Sequence, residues 1–105
     1  MLTEEQIVEL KAKHGDKLAA VQCSAGDVVF KPAIRAAYDK WRDKHFAEPL
    51  TQSDNARELC QGCLVSPTWA EFKALLDTMP ALLMKCTDAI GELAGLSEQY
   101  SVKKL

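Results

Sequence analysis

The sequence predicts an α+β fold that is mostly helical: an N-terminal helix, one β-hairpin, then about four helices in a small bundle. Three observations carry this expectation. Two short apolar runs, Leu18-Ala19-Ala20-Val21 and Val28-Val29-Phe30, flank the turn-forming stretch Ser24-Ala25-Gly26-Asp27. Beyond Phe30, apolar residues recur at three- and four-residue spacing, the period of a helix with one buried face. Prolines at positions 32, 49, 67 and 80 divide that remainder into segments of helix length.

A chain of 105 residues suits one domain with one modest core, burying roughly two thirds of its unfolded surface. Residues 1–96 are expected to form that globular domain, and residues 97–105 a flexible C-terminal tail, because apolar residues at helical spacing run out after Leu96. With 48% hydrophobic and 27% charged residues the composition is that of a globular protein and gives no argument for disorder or a fibre.

The first helix is expected over Glu4–Lys13. Thr3 can accept from the backbone N–H of Gln6 while the Gln6 side chain returns to the N–H of Thr3, a capping box, and Gly15 stands where a left-handed cap belongs. Ile7, Leu10 and His14 share one side. Two strands alone are marginal in water, so the hairpin that follows must be covered by a helix or must pair with another strand edge.

Pro32 ends the second strand and suits the first turn of a helix over Ala33–Phe46. Ile34, Ala37, Tyr38, Trp41 and His45 make its apolar stripe, with Trp41 as the expected anchor of the core. A third helix, from about Asp54 to Leu64, is capped by Thr51 with Asp54 or by Ser53, and buries Leu59, Cys60, Cys63 and Leu64. Ser66-Pro67 is read as an N-cap followed by proline at the first helical position, launching a fourth helix through Trp69, Phe72, Leu75 and Leu76. Thr78-Met79-Pro80 repeats the device for a fifth, which carries Leu82, Leu83, Cys86, Ile90 and Leu93 and ends at Gly95.

The balance of 13 basic against 15 acidic residues leaves a net charge of −2, so no global positive field exists to hold a polyanion. The helix from Lys31 to His45 does combine Arg35, Lys40, Arg42 and Lys44 with Trp41, but Asp39 and Asp43 interrupt that face. No nucleic-acid partner is expected. No apolar run reaches the roughly 20 residues that span a bilayer, and residues 1–5 lack the basic start of a signal peptide, so no membrane partner and a cytoplasmic location are expected. In that compartment Cys23, Cys60, Cys63 and Cys86 are expected to be free thiols.

Cys60-Gln61-Gly62-Cys63 is the one motif that resembles chemistry, either as a zinc half-site or as a redox pair. A redox pair wants its first cysteine at a helix N-terminus after a strand, whereas Cys60 lies deep in a helical pattern. Zinc would need two more ligands, and Cys23, Cys86, His14 and His45 form no second paired motif. Packing of buried thiols is the reading adopted, with no metal and no cofactor. Two histidines without a partnered nucleophile, and glycines that stand alone, give no catalytic constellation, so an enzyme is not expected.

Val29-Phe30-Lys31-Pro32-Ala33-Ile34-Arg35-Ala36-Ala37-Tyr38, Asn55-Ala56-Arg57-Glu58-Leu59-Cys60, Leu64-Val65-Ser66-Pro67, Ala74-Leu75-Leu76 and Pro80-Ala81-Leu82 together resemble the small tail assembly chaperones of long-tailed bacteriophages and prophages. The resemblance spans about two thirds of the chain and rests on a strand leading into a proline-started helix, a Cys-Leu-Val-x-Pro-like step, and a closing helix that begins at proline. The N-terminal helix and the four cysteines depart from that pattern. The resemblance implies a non-enzymatic protein of the bacterial host cytoplasm that binds the tape measure protein during tail morphogenesis, with the tail tube protein as a second candidate partner; a homo-oligomer is compatible with it. Leu75, Met79, Leu83 and Met84 are the residues expected to line a groove for an amphipathic partner helix, methionine adapting to varied shapes. The alternative is a small phage-encoded regulatory or nucleic-acid-binding protein.

Overall fold

The computed structural model describes residues 2–48, 50, 52–95 and 101–104. Its elements are helix α1 (Glu4–His14), strands β1 (Ala19–Cys23) and β2 (Gly26–Phe30), helices α2 (Arg35–Ala47) and α3 (Gln52–Cys63), strand β3 (Leu64–Ser66), and helices α4 (Trp69–Thr78) and α5 (Leu82–Leu93). The fold is α+β and mostly helical, with one antiparallel sheet in the order β1-β2-β3.

The N-terminal half follows its local signals. Both halves of the capping box are present at α1, with the Thr3 N–H donating to Gln6 Oε1 at 2.9 Å and the Gln6 N–H to Thr3 Oγ1 at 3.2 Å. Gly15 ends the helix at φ +94°, where a side chain would be strained. The hairpin turn is tighter than the composition indicated: Ser24 and Ala25 alone connect the strands, and Gly26, at φ +123°, and Asp27 already belong to β2.

The third strand is a correction to the expected single hairpin. Leu64, expected at the end of α3, instead opens β3, which pairs antiparallel with β2 through Phe30↔Leu64 and Val29↔Ser66 with an irregularity between them. The Lys31 N–H continues the ladder by donating to the Cys63 carbonyl at 2.9 Å. That pairing holds the chain extended past Phe30, so α2 starts at Arg35 and not Ala33, and Pro32 lies in the connector. Ile34 occupies the N-cap position and makes no side-chain cap bond.

Later boundaries shift for similar local reasons. The expected α3 caps are displaced, because Ser53 and Asp54 lie inside the helix; Thr51 is outside the described residues. The cap of α4 is Thr68 and not Ser66: its hydroxyl oxygen accepts from the Glu71 N–H at 3.3 Å, and Pro67 precedes the helix on a cis peptide bond. Helix α5 begins at Leu82, after a turn through Pro80 and Ala81. Of the expected C-terminal tail, residues 101–104 are exposed and irregular, and residues 97–100 and 105 lie outside the described residues.

The core forms where one face of the sheet meets α3, α4 and α5. Val28 and Phe30 point into it from alternate positions of β2 and join Leu59, Cys60, Cys63, Phe72, Leu76, Leu82, Cys86 and Ile90. In α5 the buried positions Leu82, Cys86 and Ile90 recur every four residues. Phe30 and Phe72 meet edge to face at 6.0 Å and 81°, and both are fully buried. They are the anchors of the core; Trp41, expected in that role, is partly buried and packs against its margin. Val29 points to the opposite face of the sheet, where Leu2, Ile7, Leu10 and Leu18 gather over it, and the Leu2 N–H donates to Asp27 Oδ2 at 2.9 Å.

Candidate partner-binding surface

Helix α2 covers the core from one side only. None of its residues is buried, and it packs mainly on α3. Two side chains of α3 staple it there: Asn55 Nδ2 donates to the Trp41 carbonyl at 3.0 Å, and Gln52 Nε2 to the His45 carbonyl at 2.8 Å. Donors three apart on α3 thus meet acceptors four apart on α2, which sets the register of the two helices. Asn55 is buried, and the His45 carbonyl that Gln52 reaches is one of the last of α2, where the residue four positions on is Pro49, which has no N–H to offer.

Aromatic side chains follow one another along α2. Tyr38 and Trp41 lie 5.6 Å apart, Trp41 and His45 5.2 Å, and His45 and Phe46 5.3 Å between ring centroids. Trp41 and His45 form one wall of an open groove of about 370 Å³ whose other walls are Ala56 of α3 and Leu83, Met84 and Thr87 of α5. Gln52, Ser53 and Asp88 also line it, and Met84, 71% exposed, stands at its lip. Among the described residues, the buried Trp41 Nε1 and His45 Nδ1 have no hydrogen-bond partner.

Of the four residues expected to line a partner groove, Leu83 and Met84 lie together on this groove and Leu75 and Met79 do not reach it. Leu83, Leu75 and Met79 are all half-buried against the core, and Met84 alone of the four is exposed; the spacing of Leu75 and Met79 fits either fate, and only the position of α4 decides. Trp41 and His45 complete the groove, and sequence reasoning assigned both to a buried stripe. Both are only half-buried, and the signal for that was the company they keep, since Asp39, Lys40, Arg42 and Asp43 leave little of α2 for burial.

A second groove, of about 330 Å³, runs along the other flank of α2. Ile34, Ala37 and Trp41 face Leu59, Gly62 and Cys63 across it. Lys40 and Glu58 close within 3.6 Å over its rim, both more than half exposed, so the pair contributes at most about 1 kcal/mol.

The thiols of the Cys60/Cys63 motif lie in the core. Cys23, Cys60, Cys63 and Cys86 are free, and the last three are buried. Burial pushes the Cys86 thiol up to about 12, with Cys23 adding to the shift. Burial also raises Cys60, reinforced by Cys86 and Cys63, and raises Cys63 against the opposing charge of Lys31. A raised thiol pKa disfavours the thiolate, the form that acts as nucleophile and metal ligand. Among the described residues no group of three or more His, Cys, Asp or Glu side chains could hold a metal ion. Nor, among the described residues, is any helix long and apolar enough to cross a membrane.

No protein-family model matches the sequence, and no curated protein matches it. Among solved structures, the chain is similar to the uncharacterised protein rbstp2171 from Bacillus stearothermophilus, with a TM-score of 0.70 and 18% identity, over 91% of this chain and 98% of that one. At that identity the likeness shows a shared fold, covering nearly the whole of both chains.

Proposed function

We propose that this protein is a non-enzymatic tail assembly chaperone of a bacteriophage or prophage, acting in the bacterial host cytoplasm, where it binds the tape measure protein and keeps its long helices soluble. The observation that carries the reading is the open groove beside Trp41, His45, Leu83 and Met84. A groove walled by three helices, with an exposed methionine at its lip, has the form and chemistry that receive the apolar stripe of an amphipathic helix. The sequence resemblance supplies the identity of that helix.

The alternative, a nucleic-acid-binding protein, gains nothing from the arrangement of charge. On α2, Arg35 pairs with Asp39, and Arg42 with Asp39 and Asp43, each at 3.6 Å. Those cations already face carboxylates, leaving little field for a phosphate backbone.

Co-expression with the tape measure protein tests the proposal. The tape measure protein should co-purify with the full chain and should precipitate when the chain is omitted. Co-purification should fail with Leu83→Glu combined with Met84→Glu. A tape measure protein that stays soluble alone, or that co-purifies equally with the double variant, overturns the reading.

A further inference from the structure

The groove on the outer flank of α2 has a feature that internal packing does not explain. Gly62 lies in the last turns of α3, where glycine costs up to about 1 kcal/mol relative to alanine, yet a Cβ built there would meet nothing within 4 Å. Its effect is to leave the groove floor flat and open. Ile34, 73% exposed, stands at the rim. The groove carries an excess of positive charge, because Lys40 faces Glu58 while Lys31 makes no ion pair among the described residues.

The complementary surface is on the same chain. The outer face of α1 presents Val8, 66% exposed, among Glu4, Glu5 and Glu9, none of which makes an ion pair among the described residues. Helix α1 has no buried residue, so this face is available without unfolding anything. We infer that the outer groove of α2 and α3 binds α1 of a second copy of this chain, Val8 seating against Ile34 over Gly62 and the carboxylates of α1 facing Lys31. One helix of 11 residues covers less than the roughly 800 Å² per partner of a stable interface. The docking is therefore reciprocal, each copy placing α1 in the other's groove, as a two-fold dimer requires.

Sedimentation velocity of the full chain, from about 5 to about 500 μM, tests this. The expected species is a dimer that Lys31→Glu weakens about tenfold or more, as does Glu5→Lys with Glu9→Lys on α1. Combining the two sets restores the pairing with its sense reversed, so the triple variant should dimerise more tightly than either parent. Gly62→Leu, a good helix former at an open position, should fold as well as the native chain and be monomeric. A monomer at all concentrations overturns the inference, as does a dimer indifferent to Lys31→Glu and Gly62→Leu, or a triple variant that stays monomeric. Circular dichroism of each variant separates lost pairing from lost folding. Tape measure binding is read separately through Leu83 and Met84, so either proposal can fail while the other stands.

Discussion

Asn55 reaches from α3 to donate its Nδ2 hydrogen to the main-chain carbonyl of Trp41, 3.0 Å away and 14 residues earlier in the chain. With no buried residue of its own, α2 depends on such bonds for its position. Replacing Asn55 with alanine removes the bond and opens a small cavity, at a cost of about 1–3 kcal/mol. Urea titration should show the loss, and the emission of Trp41 should shift as α2 loosens. An Asn55→Ala protein with native stability and emission would mean that the Gln52 bond and the packing of Trp41 against the core hold α2 without Asn55.

Phe72 and Trp41 should differ sharply on truncation, although both are large aromatics on helical stripes. Phe72 is fully buried against Phe30, so Phe72→Ala leaves a void and should cost about 3–5 kcal/mol. Trp41 is partly exposed at the margin, and Trp41→Ala should cost markedly less while removing the shared wall of both grooves. Denaturation midpoints of the two variants, measured together, decide the order.

Stability should fall in alkali for a reason traceable to the thiols. In the unfolded chain a cysteine ionises near its ordinary value of 9.0, whereas folded Cys86 holds its proton to about 12 and Cys60 is raised as well, burial being the main cause in both. Between those values the folded state binds more protons than the unfolded state, so stability declines as pH rises from about 9 towards about 12. Below about 9 the two thiols contribute no slope. Cys60→Ala and Cys86→Ala should each lower stability at neutral pH through the lost core volume, yet flatten its decline in alkali. Urea midpoints at several pH values between about 7 and 11 measure both effects, and an unchanged slope in both variants would refute the assignment.

The legibility of this fold in its sequence follows the range of the interactions. The capping box at Thr3 and Gln6, the hairpin around Gly26, and the four-residue repeat of Leu82, Cys86 and Ile90 are written within a few positions of one another, and each is formed. Strand β3 was not legible because three residues are too few to show alternation, and Leu64 continues the helical stripe of Leu59, Cys60 and Cys63 until the edge of β2 captures it. Of the candidate surface, Leu83 and Met84 were readable as an apolar helix face. The distinction between them and Leu75 or Met79 was not, since it depends on which helix covers which, a matter of long-range packing.

Met84 offers the cleanest separation of binding from folding. Its side chain is 71% exposed at the lip of the groove between α2, α3 and α5, so Met84→Glu removes little buried area and should alter stability by no more than about 0.5 kcal/mol. The same charge placed against the apolar stripe of a docked helix would have to be desolvated without a partner, costing about 1–3 kcal/mol, or up to a hundredfold in affinity. Thermal unfolding alongside titration of a tape measure fragment, followed by tryptophan emission because Trp41 walls the groove, reads both quantities on one sample. Loss of stability comparable to the loss of affinity would show that Met84 belongs to the fold and that the groove is not where the partner binds.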